Sequence, residues 1–268
     1  MLVAGVDDAG RGSVLGPLVI GGVSIDDSKI SKLQELGVKD SKLLSAKKRS
    51  SLYREIKKIA HCVVHEKIPP KLIDEAVLKG ERLYRLNFLE ARYMAKVLSR
   101  LEFKVAYVDC CDTDQKRFGN LIADLLAIEK TSGRKKSRSG KKNPTHSLGP
   151  LIVDYNNSNN PLRQKIVSEH HADRNYAVVS AASIIAKVTR DAAVKRLQKE
   201  HGVFGSGYPS DPATIEFLKS FVDSSKSLPP FTRLSWATVI RLSKGGKQAE
   251  GEENERRNQL GIEKFVVK

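Results

Sequence analysis

Apolar residues along this chain fall into short unbroken runs and into longer stripes of helical spacing, and the two kinds of segment alternate. Val3 to Val6 and Leu18 to Ile25 are runs of strand length, joined through the turn-forming Gly10 and Gly12, and are predicted to be neighbouring buried strands. Ser45 precedes a basic segment reaching Ala60 in which Leu52, Ile56 and Ile59 recur at helical spacing, so Ser45 is the expected N-cap. Cys62 to His65 suits a third strand, and Pro69 and Pro70 punctuate before a short helix over Lys71 to Leu78. Leu86 to Leu101 reads as a longer helix with Leu89, Tyr93, Ala95 and Val97 turned to the core, followed by a strand over Val105 to Asp109 and a helix from about Gln115 to Ile128. Lys165 to Ser168 is the expected last strand. Ala177 to about Glu200 is a long helix opening with Ser180, Ala181, Ala182 and Ser183, side chains small enough to let it lie close on a sheet or a bound strand.

A length of 268 residues suffices for one good core or two small ones. The chain divides into a core over residues 1–200, a helical cap over 201–243 and a mobile tail over 244–268, where the sequence turns polar, charged and glycine-containing. Between about Glu129 and Arg163 the composition shifts to Lys, Arg, Ser and Asn. Such a basic run is a solvated loop or a nonspecific phosphate contact, since flexible Lys and Arg arms bind phosphate without reading sequence.

The overall charge narrows the partners. The chain carries 47 Lys and Arg against 31 Asp and Glu, a net charge of +16, which favours a polyanionic partner. A hydrophobic content of 40% argues against a disordered basic protein. No run approaches the ~20 apolar residues that span a bilayer, and no signal-peptide pattern precedes the first strand, so a cytoplasmic protein with no membrane partner is expected. Cys62, Cys110 and Cys111 form neither a CxxC motif nor an even disulfide framework, and free thiols are expected.

Residues 7–12 read Asp-Asp-Ala-Gly-Arg-Gly, two carboxylates and a flexible cationic turn at the end of the first strand. Neighbours on a regular strand point to opposite faces, so Asp7 and Asp8 serve one site only if the pleat breaks there, which Gly10 and Gly12 allow. Such a strand end offers oxygen ligands for hard cations, with the N–H groups of the turn open to a ligand. Four further stretches follow in chain order: Gly37 to Leu44, Ala106 to Asp109, His171 to Asp173 running on through Val179 to Asp191, and Gly205 to Pro212. A last piece, Pro229 to Trp236, completes the series. With these the sequence resembles ribonuclease HII, the metal-dependent endonuclease that cuts RNA within RNA/DNA duplexes and 5′ to single ribonucleotides embedded in DNA. The likeness spans about residues 1–243, and the basic segment stands as an insertion within it.

The resemblance implies a ribonuclease H-like α/β fold, a mixed five-stranded sheet flanked by helices, with a C-terminal helical cap. It implies Asp7, Asp8, Asp109 and Asp173 as the catalytic ligands of Mg²⁺ or Mn²⁺, two ions with substrate, giving 3′-hydroxyl and 5′-phosphate ends. Four clustered acids repel one another when empty, so raised carboxylate pKa values are expected. The family's second acid is usually Glu; Asp8 is shorter by about 1.5 Å, which bears on direct or water-mediated contact with a cation. Val153-Asp154 mimics Val108-Asp109 but lacks the helix that begins around Arg117 and Phe118, and Asp154 is read as a decoy.

RNA/DNA hybrid and ribonucleotide-containing duplex DNA are the implied partners. Gly10, Arg11, Gly12 and Tyr208 would meet the 2′-hydroxyl, with Tyr208 stacking on the deoxyribose to the 3′ side. Ser41, Lys42, Lys187 and Arg190 would contact phosphates, which position a duplex without reading bases. Gln259, Ile262 and Phe265 resemble a sliding-clamp-binding box in which Val266 replaces the second aromatic, carried on a linker that raises effective concentration. Two rival readings are a noncatalytic RNA/DNA-hybrid binding protein, suggested by Asp8 and the basic segment, and ribonuclease HIII, for whose additional N-terminal domain there is no room before Asp7.

Overall fold

The computed structural model describes residues 1–38, 44–79, 85–139 and 160–244. In chain order they form β1 (Leu2–Ala9), β2 (Leu18–Asp26), α1 (Ile30–Glu35), α2 (Ala46–Ile59), β3 (Cys62–Ile68), α3 (Pro70–Lys79), α4 (Arg85–Leu98), β4 (Val105–Asp109), α5 (Gln115–Ser139), β5 (Ile166–Glu169), α6 (Ala172–Asn175), α7 (Ala177–His201), α8 (Pro212–Asp223) and α9 (Ala237–Ser243). The five strands make one mixed sheet in the order β3-β2-β1-β4-β5. β1 pairs antiparallel with β2 and parallel with β4, so it lies at the centre with both faces covered. That burial explains why its sequence is a nearly continuous apolar run.

Two layers of helix enclose the sheet. On one face Ala4, Val6, Leu18, Ile20 and Val108 pack against α3, α4 and α5. On the other, Val3, Val23 and Ile25 meet α1, α2 and α7 through Leu33, Leu52, Ile56, Val179 and Ala182. α7 lies directly on β1 because its first turns carry small side chains: a Cβ on Gly5 would stand 2.3 Å from the Val178 carbonyl oxygen. Gly5 is the strand's counterpart to those small residues. Ser45 caps α2 as expected, its Oγ accepting from the Lys48 N–H at 3.2 Å. A third apolar cluster joins Val14 and Leu15 to Val194, Phe204, Leu218, Phe231 and Val239, seating the C-terminal helices on the segment that follows β1.

The structure departs from the sequence reading in several places. β1 runs on through Asp7 and Asp8 to Ala9 with unbroken pairing, Asp7 beside Gly21 and Asp8 beside Ile20, so the pleat does not break at the two acids. The helix predicted from about Gln115 to Ile128 is longer. α5 continues past Ile128 to Ser139, through residues rich in helix-forming Lys and Arg and free of proline. Beyond it, Asn160 and Arg163 dock on α5, where Asn160 Nδ2 donates to Asp124 Oδ1 at 2.9 Å and Arg163 Nη2 donates to Asp124 Oδ2 at 2.6 Å. α1 and α6 were not anticipated. Among the described residues no helix is long and apolar enough to cross a membrane. Ser41, Lys42, Asp154, Gln259, Ile262 and Phe265 lie outside the described residues.

Candidate active site

The acids gather at the carboxyl ends of β1 and β4 because of strand register. Val6 lies beside Val108 in the parallel pair, so the next residues along, Asp7 and Asp109, are neighbours on the face covered by α7. Asp7 is buried, bonded to Ser183 of α7, and its Oδ1 accepts from the Asp8 N–H at 2.7 Å. That bond curls the carboxylate along the strand toward its end, where Asp8 emerges. Asp109 Oδ1 accepts from the Ala172 N–H at 2.8 Å, which holds the start of α6, and with it the buried Asp173, against the end of β4. Asp8 belongs to the opposite face, toward α4. The carboxyl end of the sheet, and not a broken pleat, brings acids of both faces into one region.

Burial pushes the Asp7 carboxyl well above the usual carboxylate range, and the charges of Asp8 and Asp109 add to it. Asp8 is pushed up to about 7, first by burial and then by Glu90, with Arg11 and Lys187 opposing. The elevation expected for clustered acids is therefore present at these two, with desolvation ahead of mutual repulsion. Among the described residues no three His, Cys, Asp or Glu side chains stand close enough together to hold one metal ion. The donor chemistry nevertheless suits a hard cation: carboxylate oxygens from three elements, two of them in surroundings that under-compensate their negative charge.

Arg11 follows the acids but turns its guanidinium toward α4. Its Nε lies 3.2 Å from Glu90 Oε1, Nη2 donates to Asn87 Oδ1 at 2.6 Å and Nη1 to the Cys111 carbonyl at 3.1 Å. Glu90 is fully buried and also accepts from Cys111 Sγ at 3.0 Å. Asn87 Nδ2 in turn donates to Asp112 Oδ2 at 3.0 Å, and Asp112 pairs with Arg117 of α5. The expected free thiols are found, and burial pushes that of Cys111 upward.

A cleft of about 430 Å³ opens at Asp8 and is lined also by Gly10, Gly12, Arg49, Lys187 and Tyr208, among others. Gly10 has φ +90°, and a Cβ there would come within 2.4 Å of Arg190 Nε. Gly12 is exposed with open space where a Cβ would stand, so any side chain there would fill the approach to the turn. Arg190 is buried: Nη2 donates to the Ser206 carbonyl at 3.0 Å, and its guanidinium stacks 4.5 Å from the Tyr208 ring centroid. It thus bridges the glycine turn and the tyrosine loop. Lys187 Nζ donates to Ser183 Oγ at 2.9 Å, one turn along α7 from the bond partner of Asp7.

The structure brings Asp7, Asp8, Asp109, Asp173, Gly10, Gly12, Lys187, Arg190 and Tyr208 to one end of the sheet. Sequence reasoning gave no role to Arg49, Asn87 or Glu90. Arg49 faces the cleft while its Nη2 lies 3.2 Å from Asp191 Oδ2, and nothing in the cationic run of α2 marked it out from its neighbours. Glu90 did carry a signal, an acid directly beside the core residue Leu89 on a helix otherwise read as apolar-faced.

A family model described as "Ribonuclease HII" matches residues 4–137 and 150–239. A ribonuclease HII of Cenarchaeum symbiosum is 40% identical over 246 residues, covering 92% of this chain and 100% of the relative. The crystal structure of ribonuclease H2 from Pyrococcus horikoshii OT3 superimposes with a TM-score of 0.72 at 37% identity, covering 92% of this chain and 100% of that one. A solved complex of PCNA with RNase HII from Archaeoglobus fulgidus gives a TM-score of 0.69 at 34% identity, covering 90% of this chain and 96% of that one.

Proposed function

This chain belongs to the ribonuclease HII family of type II ribonuclease H hydrolases, and from that premise we propose that it cleaves RNA in RNA/DNA hybrids and cuts 5′ to single ribonucleotides embedded in duplex DNA. The support for this reading is that the four candidate carboxylates, the glycine turn and Tyr208 all lie toward one end of the sheet. The acids would hold divalent cations, Asp7 and Asp109 from the α7 face and Asp8 from the α4 face, with Asp173 closing the ring from α6. Bound there, Mg²⁺ or Mn²⁺ supplies an activated water and neutralises charge on the departing 3′-oxygen.

The remaining groups position the duplex. Lys187 and Arg49 present cations to phosphates without reading bases. The exposed backbone at Gly12 admits a sugar to close range, and the Tyr208 ring, held by Arg190, supplies a stacking surface. Water attacks phosphorus, the bond to the 3′-oxygen breaks, and the products carry 3′-hydroxyl and 5′-phosphate ends. The rival of a noncatalytic hybrid binder is separated by one assay. A DNA duplex carrying a single ribonucleotide is incubated with Mg²⁺ or Mn²⁺ and mapped at nucleotide resolution: a cut 5′ to the ribonucleotide supports the proposal, and binding with no cut in either metal supports the binder.

We further propose a sliding clamp as partner, through Gln259, Ile262 and Phe265. The support is the motif itself and the solved complex of the Archaeoglobus fulgidus relative with PCNA. Removal of residues 259–268 is expected to eliminate clamp binding in calorimetry while leaving cleavage of short free substrates unchanged; an intact protein that shows no binding to its cognate clamp refutes it.

A further inference from the structure

Arg233 is fully buried, yet it belongs to the extended segment between α8 and α9, far in sequence from the acids. Its guanidinium is spent on the turn that follows β1. Nη2 donates to the Gly10 carbonyl at 2.7 Å, Nη1 to the Arg11 carbonyl at 2.7 Å, and Nε and Nη2 both reach the Gly16 carbonyl at 3.2 Å. The planar face of the fork rests on Trp236, 5.1 Å from its ring centroid. Lysine could not reproduce this arrangement, because a point ammonium lacks the rigid fork that spans three carbonyls.

The anchoring is reinforced on both sides. The Arg233 N–H donates to the Val14 carbonyl at 2.9 Å, and the Gly16 N–H to the Phe231 carbonyl at 2.8 Å. Asp74 of α3 accepts from the Leu234 N–H at 3.0 Å and the Ser235 N–H at 2.9 Å. The Val14 and Leu15 amides donate to the Gly207 carbonyl at 2.8 and 3.1 Å, which ties the tyrosine loop to the same segment.

A trans peptide points its N–H opposite to its C=O. The carbonyls of Gly10 and Arg11 are turned inward to Arg233, so the N–H groups of Arg11 and Gly12, which share those two peptide planes, are turned outward. Among the described residues no acceptor takes either amide. Gly12 is exposed on the cleft, and no Cβ shields it.

We propose that Arg233 is a positioning residue for ribose recognition: by holding two carbonyls it aims the Arg11 and Gly12 amides into the cleft as donors for the ribonucleotide's 2′-oxygen and adjoining phosphate. The proposal rests on the reading that this cleft selects ribonucleotides. Arg233 touches no substrate and acts only through the turn.

The test uses the full chain carrying Asp109→Asn, which blocks turnover, and measures affinity for an all-DNA duplex and for the same duplex with one ribonucleotide. Adding Arg233→Lys is expected to lower the preference for the ribonucleotide duplex about tenfold, the worth of one well-placed hydrogen bond, with all-DNA affinity unchanged. In the otherwise native chain the same substitution should lower kcat on the ribonucleotide duplex by up to about 10²-fold through misplacement, with little change in KM. Arg233→Gln should exceed Arg233→Lys in both. A folded Arg233→Lys protein with undiminished preference, or with equal losses on both duplexes, overturns the proposal. Failure of both variants to fold, judged by circular dichroism, overturns it too, by making Arg233 a requirement of folding. Absence of any ribonucleotide preference when Arg233 is intact refutes instead the underlying reading of the cleft.

Discussion

The two halves of this cleft are built in opposite ways. At the glycine turn the inward-facing groups are tied down: Arg233 satisfies three carbonyls, Arg190 bridges to Ser206 and Tyr208, and Arg11 is held by Glu90, Asn87 and Cys111. At the acids the balance runs the other way, with Asp7 buried and Asp8 half-buried near further carboxylates and both pushed toward protonation. A recognition surface gains from rigidity, because donors already aimed need no reordering on binding. A catalytic centre that uses cations gains from charge the protein itself leaves under-compensated. On the proposed function, the contrast predicts that affinity for substrate and capacity for chemistry can be altered separately here.

The largest expected effect breaks the chemical half alone. Asp109→Asn should reduce cleavage of an RNA/DNA hybrid by about 10³-fold or more, as the loss of several kcal/mol of charge stabilisation implies, while hybrid binding stays within about twofold because Lys and Arg carry the affinity. Near-normal turnover in a rate assay would dissolve the distinction. Next, Tyr208→Ala should cost about tenfold in cleavage at a single embedded ribonucleotide, on the scale of one lost stacking contact, with plain duplex binding little changed. Equal losses in both assays would make the ring structural.

Smaller effects sharpen the comparison. Arg49→Ala and Lys187→Ala should each flatten the log–log dependence of duplex binding on salt by about 0.9, one phosphate contact apiece; an unchanged slope would remove that residue from the phosphate track. The smallest effect concerns stability. The Asp8 carboxyl is raised from 3.8 to about 7, so the folded form holds its proton more tightly than the unfolded chain does. In the metal-free protein the stability this group contributes is fully present below the unfolded pKa and is lost as pH rises through this interval. Asp8→Asn should remove part of that loss and raise Tm at pH 8 by about 2–4 °C, measured by calorimetry in chelator. A lowered Tm would show that the charge at Asp8 is fully compensated after all.

The strands and main helices follow from features plain in the chain: apolar runs of strand length, a capped amphipathic helix after Ser45, and a helix whose small residues let it lie close on the sheet; the strand order does not. The candidate acids were named by the family resemblance and not by the strand pattern, which by itself shows only that Asp7 and Asp109 stand at the ends of readable strands. Which face Asp8 takes was not plain, because strand alternation and a broken pleat predict different geometries and only the observed register decides between them. The fates of Arg11, Arg190 and Arg233 were hidden for a related reason. Arginines in a chain this basic read as cations for substrate or surface, and whether one is instead tied down inside depends on partners up to 223 positions away in the chain, as in the Arg233–Gly10 bond. The end of α5 was misjudged because a basic, serine-containing run reads as loop by composition, although it holds no proline to stop a helix.

The contrast between a pre-set turn and under-compensated acids is tested most directly by a crystal structure of the full chain soaked in Mn²⁺, compared with crystals grown in chelator. Anomalous density is expected among Asp7, Asp8, Asp109 and Asp173, with those side chains rotating inward while the backbone from Gly10 to Gly16 and the guanidinium of Arg233 stay in place. Manganese bound elsewhere, or a glycine turn that rebuilds when the ion enters, would contradict the account.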